Sequence, residues 1–143
     1  MNQFVREQEF YHRKPNFLGH HVILEFYGCN SNSMTDPDIV KSVFRQAAKL
    51  ANCTIVMEEY KAFEPYGEAG VSGMTIIAES HFSIHSWPEH QYAAIDLFYC
   101  GGDLNIPKAV EYLIEHFEPK HVEQHAYERG FDNLCKIFSD KKL

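Results

Sequence analysis

The sequence predicts an α+β fold, a two-layer αβ sandwich with two helices on one face of a mainly antiparallel sheet. Three observations predict it. Two segments carry apolar residues at helical spacing along one side only. The segments around them alternate apolar and polar residues with period two, or are rich in β-branched and aromatic residues. The order is strand, helix, strands, helix, strand, so two helices that each need one partner can share one sheet face. The 143 residues read as a single domain, able to bury roughly 70% of the surface its unfolded chain exposes.

Taken in order, residues 1–17 are predicted to be an irregular arm. His20 to Tyr27 is a strand, with Val22, Leu24 and Phe26 opposing Ile23 and Glu25. Ser31 to Asp38 is a turn-rich connection. Asp36 caps a helix with Pro37 in its first turn, and Ile39, Val40, Val43, Phe44, Ala47 and Leu50 recur at helical spacing to about residue 51. Cys53 to Tyr60 is a second strand. Ala62 to Ser72 reads as a loop, marked by Pro65, Gly67 and Gly70. Gly73 to Ala78 is a third strand, which His81 to Ser86 continues or follows. Tyr92 to Tyr99 is another, broken by Gly101 and Gly102. Asn105 caps the second helix, whose stripe is Val110, Leu113, Ile114 and Phe117 and which Pro119 ends. His121 to Glu128 is the last strand, and the tail from Arg129 is ambiguous.

The net charge of −7 argues against a general nucleic-acid partner, which wants a basic face, and is compatible with a cationic substrate. No apolar run approaches the ~18 residues of a membrane span. Met1 to Pro15 lacks the apolar core of a signal peptide, so a cytoplasmic location is expected. Cys29, Cys53, Cys100 and Cys135 form no Cys-x-x-Cys pair and read as free thiols. His20, His21 and Glu25, or His116, His121 and His125, lack recognised ligand spacing, so no metal is expected.

The most informative stretch is Glu79-Ser80-His81-Phe82-Ser83-Ile84-His85-Ser86-Trp87-Pro88-Glu89. Period two puts His81, Ser83 and His85 on one strand face. Two imidazoles and a hydroxyl are poor core material, because each buried polar group needs a partner. They are good material for moving protons, because imidazole titrates near neutrality. Taken singly these residues have plainer roles: His85 as a hydrogen-bonded sheet residue, Glu89 as a solvated charge.

This stretch closely resembles the self-cleavage segment of the prokaryotic S-adenosylmethionine decarboxylase proenzymes. The resemblance extends to Gly19-His20-His21, Glu25-Phe26-Tyr27, Phe63-Glu64-Pro65-Tyr66-Gly67, Gly70-Val71-Ser72-Gly73, Tyr92 to Phe98 and Cys100-Gly101. It implies a small αβ sandwich that dimerises as processed α/β protomers, with active sites near the subunit interface. It implies cleavage between Glu79 and Ser80, with Ser80 becoming a pyruvoyl group that binds the substrate amine as a Schiff base. That step needs a strained or polarised bond, a donor to the oxyanion and a base. By the same resemblance, Ser72 and His85 assist processing, as hydrogen-bond donor and base. Cys100 is the acid that protonates the substrate carbon, Phe63 stacks on the adenine and Glu89 holds the ribose hydroxyls. Asp96 receives no role.

One departure bears on substrate. Relatives run Phe-x-Pro-x-Gly-Val-Ser-Gly unbroken, whereas Glu68-Ala69-Gly70 is inserted here. An added carboxylate suits a guanidinium or ammonium group, so the alternative is a pyruvoyl-dependent ornithine or arginine decarboxylase. A third reading is a non-catalytic partner subunit that never matures, against which Ser80, His85 and Cys100 speak.

Overall fold

The computed structural model describes residues 17–64, 69–101 and 103–131. Alternating residues build the first strand, β1 (Phe17–Tyr27), with Val22, Leu24 and Phe26 fully buried. A 3-10 turn (Ser31–Met34) leads to α1 (Pro37–Leu50). The Asp36 carboxylate accepts the amides of Asp38 and Ile39, so the predicted cap is in place. Then follow β2 (Ile55–Phe63), β3 (Gly70–Ile77), β4 (Ser80–Trp87) and β5 (Tyr92–Tyr99). The second helix, α2 (Ile106–Phe117), is capped by the Asn105 side chain on the Lys108 amide. It stops at Glu118, which turns to a φ of +49° just before Pro119. The chain ends its described part in β6 (His121–Phe131).

The six strands form one sheet in the order β2-β3-β4-β5-β1-β6, every neighbouring pair antiparallel. Both helices cover one face. Val40, Val43, Phe44 and Ala47 of α1, with Ile106, Val110, Leu113 and Phe117 of α2, are buried with Leu24, Phe82, Ile84, Ile95 and Leu97 of the sheet. Phe44 and Phe117 meet with ring centroids 6.5 Å apart. Against this face Tyr60 bonds Thr75 (Oη to Oγ1, 2.9 Å). A Cβ on Gly73 would lie 1.9 Å from the Tyr60 ring, so only glycine leaves room for that ring.

The opposite face carries no helix among the described residues. It leaves Met57, Phe63, Met74, Trp87, Tyr27 and Tyr127 exposed. Along one end of it, rings stack across four strands: Trp87 on Tyr92, Tyr92 on Tyr27 (5.3 Å each), and Tyr27 on His121 (5.9 Å).

Three expectations need correction. Phe17 is not part of an irregular arm but pairs with Phe131 at the start of β1; residues 1–16 lie outside the described residues. The predicted loop from Ala62 to Ser72 is strand at both ends: Ala62 and Phe63 finish β2 and Gly70 to Ser72 begin β3, while 65–68, including Glu68, lie outside the described residues. Gly70 is there for space, since a Cβ would meet the Ser86 carbonyl oxygen at 2.0 Å. The tail is strand as far as Phe131, beyond which, Cys135 included, the chain lies outside the described residues.

Candidate active site

β3 and β4 form a hairpin whose turn is Ala78-Glu79, with Ile77 opposite Ser80. Ser80 has a φ of +140°. The other described non-glycine residues with positive φ, Asn52, Gln91 and Glu118, lie at 49–63°, near the left-handed value of about +57° that the backbone tolerates. Ser80 lies far from it, and holding a residue in so sparse a region costs about 1–3 kcal/mol. The backbone strain therefore sits at Ser80, directly after the peptide bond that enters it.

That bond is polarised. The Glu79 carbonyl oxygen accepts the Cys100 amide at 2.8 Å. Cys100 directly follows β5, and Gly101 at φ +100° turns the chain away after it, a conformation that suits glycine. An N–H aimed at a carbonyl is what stabilises a developing oxyanion. From the other side, the Glu79 carboxylate accepts the Thr54 amide (3.0 and 3.2 Å), and the Ala78 amide donates to the Thr54 carbonyl at 2.8 Å.

Ser72 and His85 face each other across β3 and β4, and Ser72 Oγ lies 3.0 Å from His85 Nδ1. They are the last rung of that ladder. Beyond it the buried Ser86 hydroxyl replaces the backbone pairing: it accepts the Val71 amide (2.8 Å) and donates to the Met34 carbonyl (3.0 Å). Phe63 sits nearby at the end of β2, opposite Gly70, and is 57% exposed. Glu89 lies in the 3-10 turn Pro88–His90 between β4 and β5 and is exposed. That turn is tied down by Ser31 Oγ to the Pro88 carbonyl (2.9 Å) and by the Cys29 amide to the Gln91 carbonyl (2.8 Å).

The predicted residues thus fall into two groups. Glu79, Ser80 and Cys100 share one end of β4; Phe63, Ser72, His85 and Glu89 share the other. Five residue steps along an extended strand separate Ser80 from His85, roughly 16 Å. One chain does not bring the two groups together.

Between them lies a cluster around Phe98. His81, His21 and the Arg129 guanidinium all pack on its ring, the last 4.6 Å from the centroid. Asp96 pairs with His21 (Oδ1 to Nε2, 2.7 Å), which gives this aspartate a structural part. Burial, and then the neighbouring His21, hold the His81 imidazole below its ordinary value. Burial also pushes Cys29 up to about 11 and Cys53 up to about 12, so both are thiols at neutral pH.

Sequence reasoning missed the amides of Cys100 and Thr54, because backbone donors leave no residue signature. It also missed Ser86, although a hydroxyl in step with Phe82 and Ile84 on the buried face was the signal.

Comparison with known proteins identifies the family. Residues 20–130 match the family model described as S-adenosylmethionine decarboxylase. An S-adenosylmethionine decarboxylase proenzyme of Acidithiobacillus ferrooxidans is 43% identical over 113 residues, 79% of this chain and 83% of the relative. One of Pyrococcus horikoshii is 37% identical over 122 residues, 85% of this chain and 86% of the relative. The crystal structure of the adenosylmethionine decarboxylase from Aquifex aeolicus superposes with a TM-score of 0.73 at 32% identity, covering 80% of this chain and 92% of that one. A chain matched over most of its length by model, relatives and fold belongs to the S-adenosylmethionine decarboxylase family.

Proposed function

We propose that this single-domain chain is a proenzyme that cuts itself between Glu79 and Ser80. The Ser80 it exposes becomes a pyruvoyl group, and the mature protein decarboxylates S-adenosylmethionine, whose product supplies aminopropyl groups for polyamine synthesis. The observation that carries this reading is the amide of Cys100 on the Glu79 carbonyl, beside a Ser80 held at φ +140°.

The bond changes balance within the chain and one water. Ser80 Oγ bonds to the Glu79 carbonyl carbon and its proton passes to the Ser80 nitrogen as the C–N bond breaks, giving an ester and an amine. A base then removes the Ser80 Cα proton, a Cα=Cβ bond forms, and Glu79 leaves as a carboxylate. The enamine shifts to an imine, and water hydrolyses it to the ketone with release of ammonia. The residues present fit this outcome: a serine at a strained position, a donor on the preceding carbonyl, and an imidazole bonded to a hydroxyl.

Once formed, the ketone supplies the electron sink for loss of carbon dioxide from an amino acid. The chain's own residues bind and move protons. Phe63 offers an exposed ring to the adenine and the sulfonium. The Glu89 carboxylate accepts the ribose hydroxyls. Cys100 returns a proton to the former α-carbon, which spares the ketone carbon from mis-protonation.

The roughly 16 Å between Ser80 and His85 favours a homodimer as the working unit. Two copies packed through their open sheet faces, about 10 Å apart, with strands opposed, would lay the Ser80 end of one over the His85 end of the other. The exposed Trp87, Met74, Tyr27 and Tyr127 on that face support this packing, since so much exposed apolar surface marks an interface.

Intact-mass analysis should give fragments of residues 1–79 and 80–143, the second without a free amino group. Carbon dioxide release is then compared on S-adenosylmethionine, ornithine and arginine. A chain that stays whole rejects the enzyme reading. Release from ornithine or arginine alone rejects the substrate and leaves the cleavage standing.

A further inference from the structure

We infer that the Glu79 side chain is a positioning residue for cleavage: by accepting the Thr54 amide it fastens the scissile turn to the end of α1 and so holds Ser80 at its unusual φ. The inference rests on the cleavage site proposed above and adds a role to a side chain otherwise only marking that site.

The turn itself has no local reason to be tight. Ala78-Glu79 contains neither glycine nor asparagine, the residues that two-residue hairpin turns favour. It is held from outside. Thr54 uses both of its backbone groups on the turn, its amide on the Glu79 carboxylate (3.0 and 3.2 Å) and its carbonyl on the Ala78 amide (2.8 Å). Thr54 is anchored in turn. The Cys53 amide bonds the Ala48 carbonyl (2.9 Å), the Asn52 amide bonds the Lys49 carbonyl (3.0 Å), and Asn52 at φ +63° makes the bend. The Asn105 amide bonds Ala51 (2.9 Å), which ties this corner to the start of α2.

Glu79 is thus gripped at two points. Its carboxylate is on Thr54 and its carbonyl is on Cys100. With residue 79 fixed on one side and the β4 ladder fixing Ser80 opposite Tyr99 on the other, the rotation between them is confined to φ of Ser80. Releasing the carboxylate would let the turn relax and the strain drain away. The requirement is an acceptor oxygen at the reach of a glutamate, not a charge.

The test follows cleavage from synthesis. Wild type, Glu79→Gln, Glu79→Ala and Glu79→Asp are made by cell-free synthesis and chased by intact mass, with and without hydroxylamine. Hydroxylamine splits an ester but leaves an amide. Gln keeps the acceptor and should cleave within threefold of wild type. Ala lacks it and Asp falls one methylene short, and both should slow at least tenfold. Hydroxylamine should not restore either, because the loss falls before the ester forms. Thermal melts check folding, and if Ala folds poorly, the Gln and Asp pair decides. Ala or Asp cleaving at the wild-type rate, Gln as slow as Ala, or rescue by hydroxylamine overturns the inference. A wild type that never cleaves takes down the cleavage site itself, and the clamp with it.

Discussion

Ser80 and His85 lie on the same strand, at opposite ends of its ladder with β3, with His81 to Ile84 between them. An extended strand cannot fold back on itself, so an imidazole at one end cannot reach a peptide bond at the other. The homodimer proposed above would supply the two from different chains.

This gives a complementation experiment. Alone, Ser80→Ala should remain uncut and His85→Ala should be slowed by about 10²–10⁴, as expected for loss of a general base. Co-expressed, the Ser80→Ala chain lends its His85, and the His85→Ala chain should be cut in mixed dimers. Intact mass distinguishes the two chains. Cleavage of His85→Ala to the same small extent with and without the partner would place the base within one chain.

Cys100 contributes an amide to the turn, and the proposed function gives its thiol a part in turnover; substitution separates the two. Cys100→Ser keeps the amide on Glu79 and should still cleave. Its decarboxylation should slow by about 10² or more, with faster loss of activity as the ketone is mis-protonated. Full activity over many turnovers would direct the search for the proton donor elsewhere.

Phe63 is an exposed aromatic at a strand end with little packing to lose. Phe63→Ala should therefore leave self-cleavage intact and raise KM for S-adenosylmethionine. A cation–π contact alone is worth roughly 0.5–2 kcal/mol, a change of about 2- to 30-fold. A fall in kcat with KM unchanged would remove it from the binding role.

Gly73→Ala should destabilise the fold by about 1–3 kcal/mol, the range for forcing an extra methyl into a packed site. The new Cβ would stand 1.9 Å from the Tyr60 ring and drive its hydroxyl off Thr75. Urea titration should show a lower midpoint with an unchanged slope. An unchanged midpoint would mean that the ring moves freely.

His81 has its pKa lowered from 6.5 by burial and then by His21. As pH falls below 6.5 the unfolded chain takes up that proton before the folded one does, so folding is disfavoured progressively until the folded value is passed. Above 6.5 both states are neutral and nothing is lost. Melting temperatures from pH 8 to 5 should therefore fall less steeply for His81→Gln than for wild type. Parallel profiles would mean that His81 titrates alike in both states.

Much of the fold was legible because it follows from local patterns. Asp36 and Asn105 cap their helices as their positions before Pro37 and the Val110 stripe suggested, and β5 runs from Tyr92 to Tyr99 as read. The β3–β4 hairpin was not separable from one continued strand, because Ala78-Glu79 carries no turn chemistry and bends only under bonds from Thr54 and Cys100. Gly70 suggested a loop but serves a close approach of two strands. For the site, Ser72 and His85 were paired in advance and do meet. That the Cys100 amide meets the Glu79 carbonyl at the far end of β4 depended on the register of β4 with β5, which spacing along the chain does not disclose.

The strand order has one more result. A cut after Glu79 assigns β1, α1, β2 and β3 to one piece and β4, β5, α2 and β6 to the other. Across the sheet, ownership changes at β3–β4, at β5–β1 and at β1–β6, so β1 of the first piece is clasped on both sides by strands of the second. The pieces are interlocked like two combs and cannot part by peeling at one edge; three ladders must open together. The nicked molecule should stay whole on dilution and separate only when it unfolds, which lets a chain break beside its central strands without losing its shape.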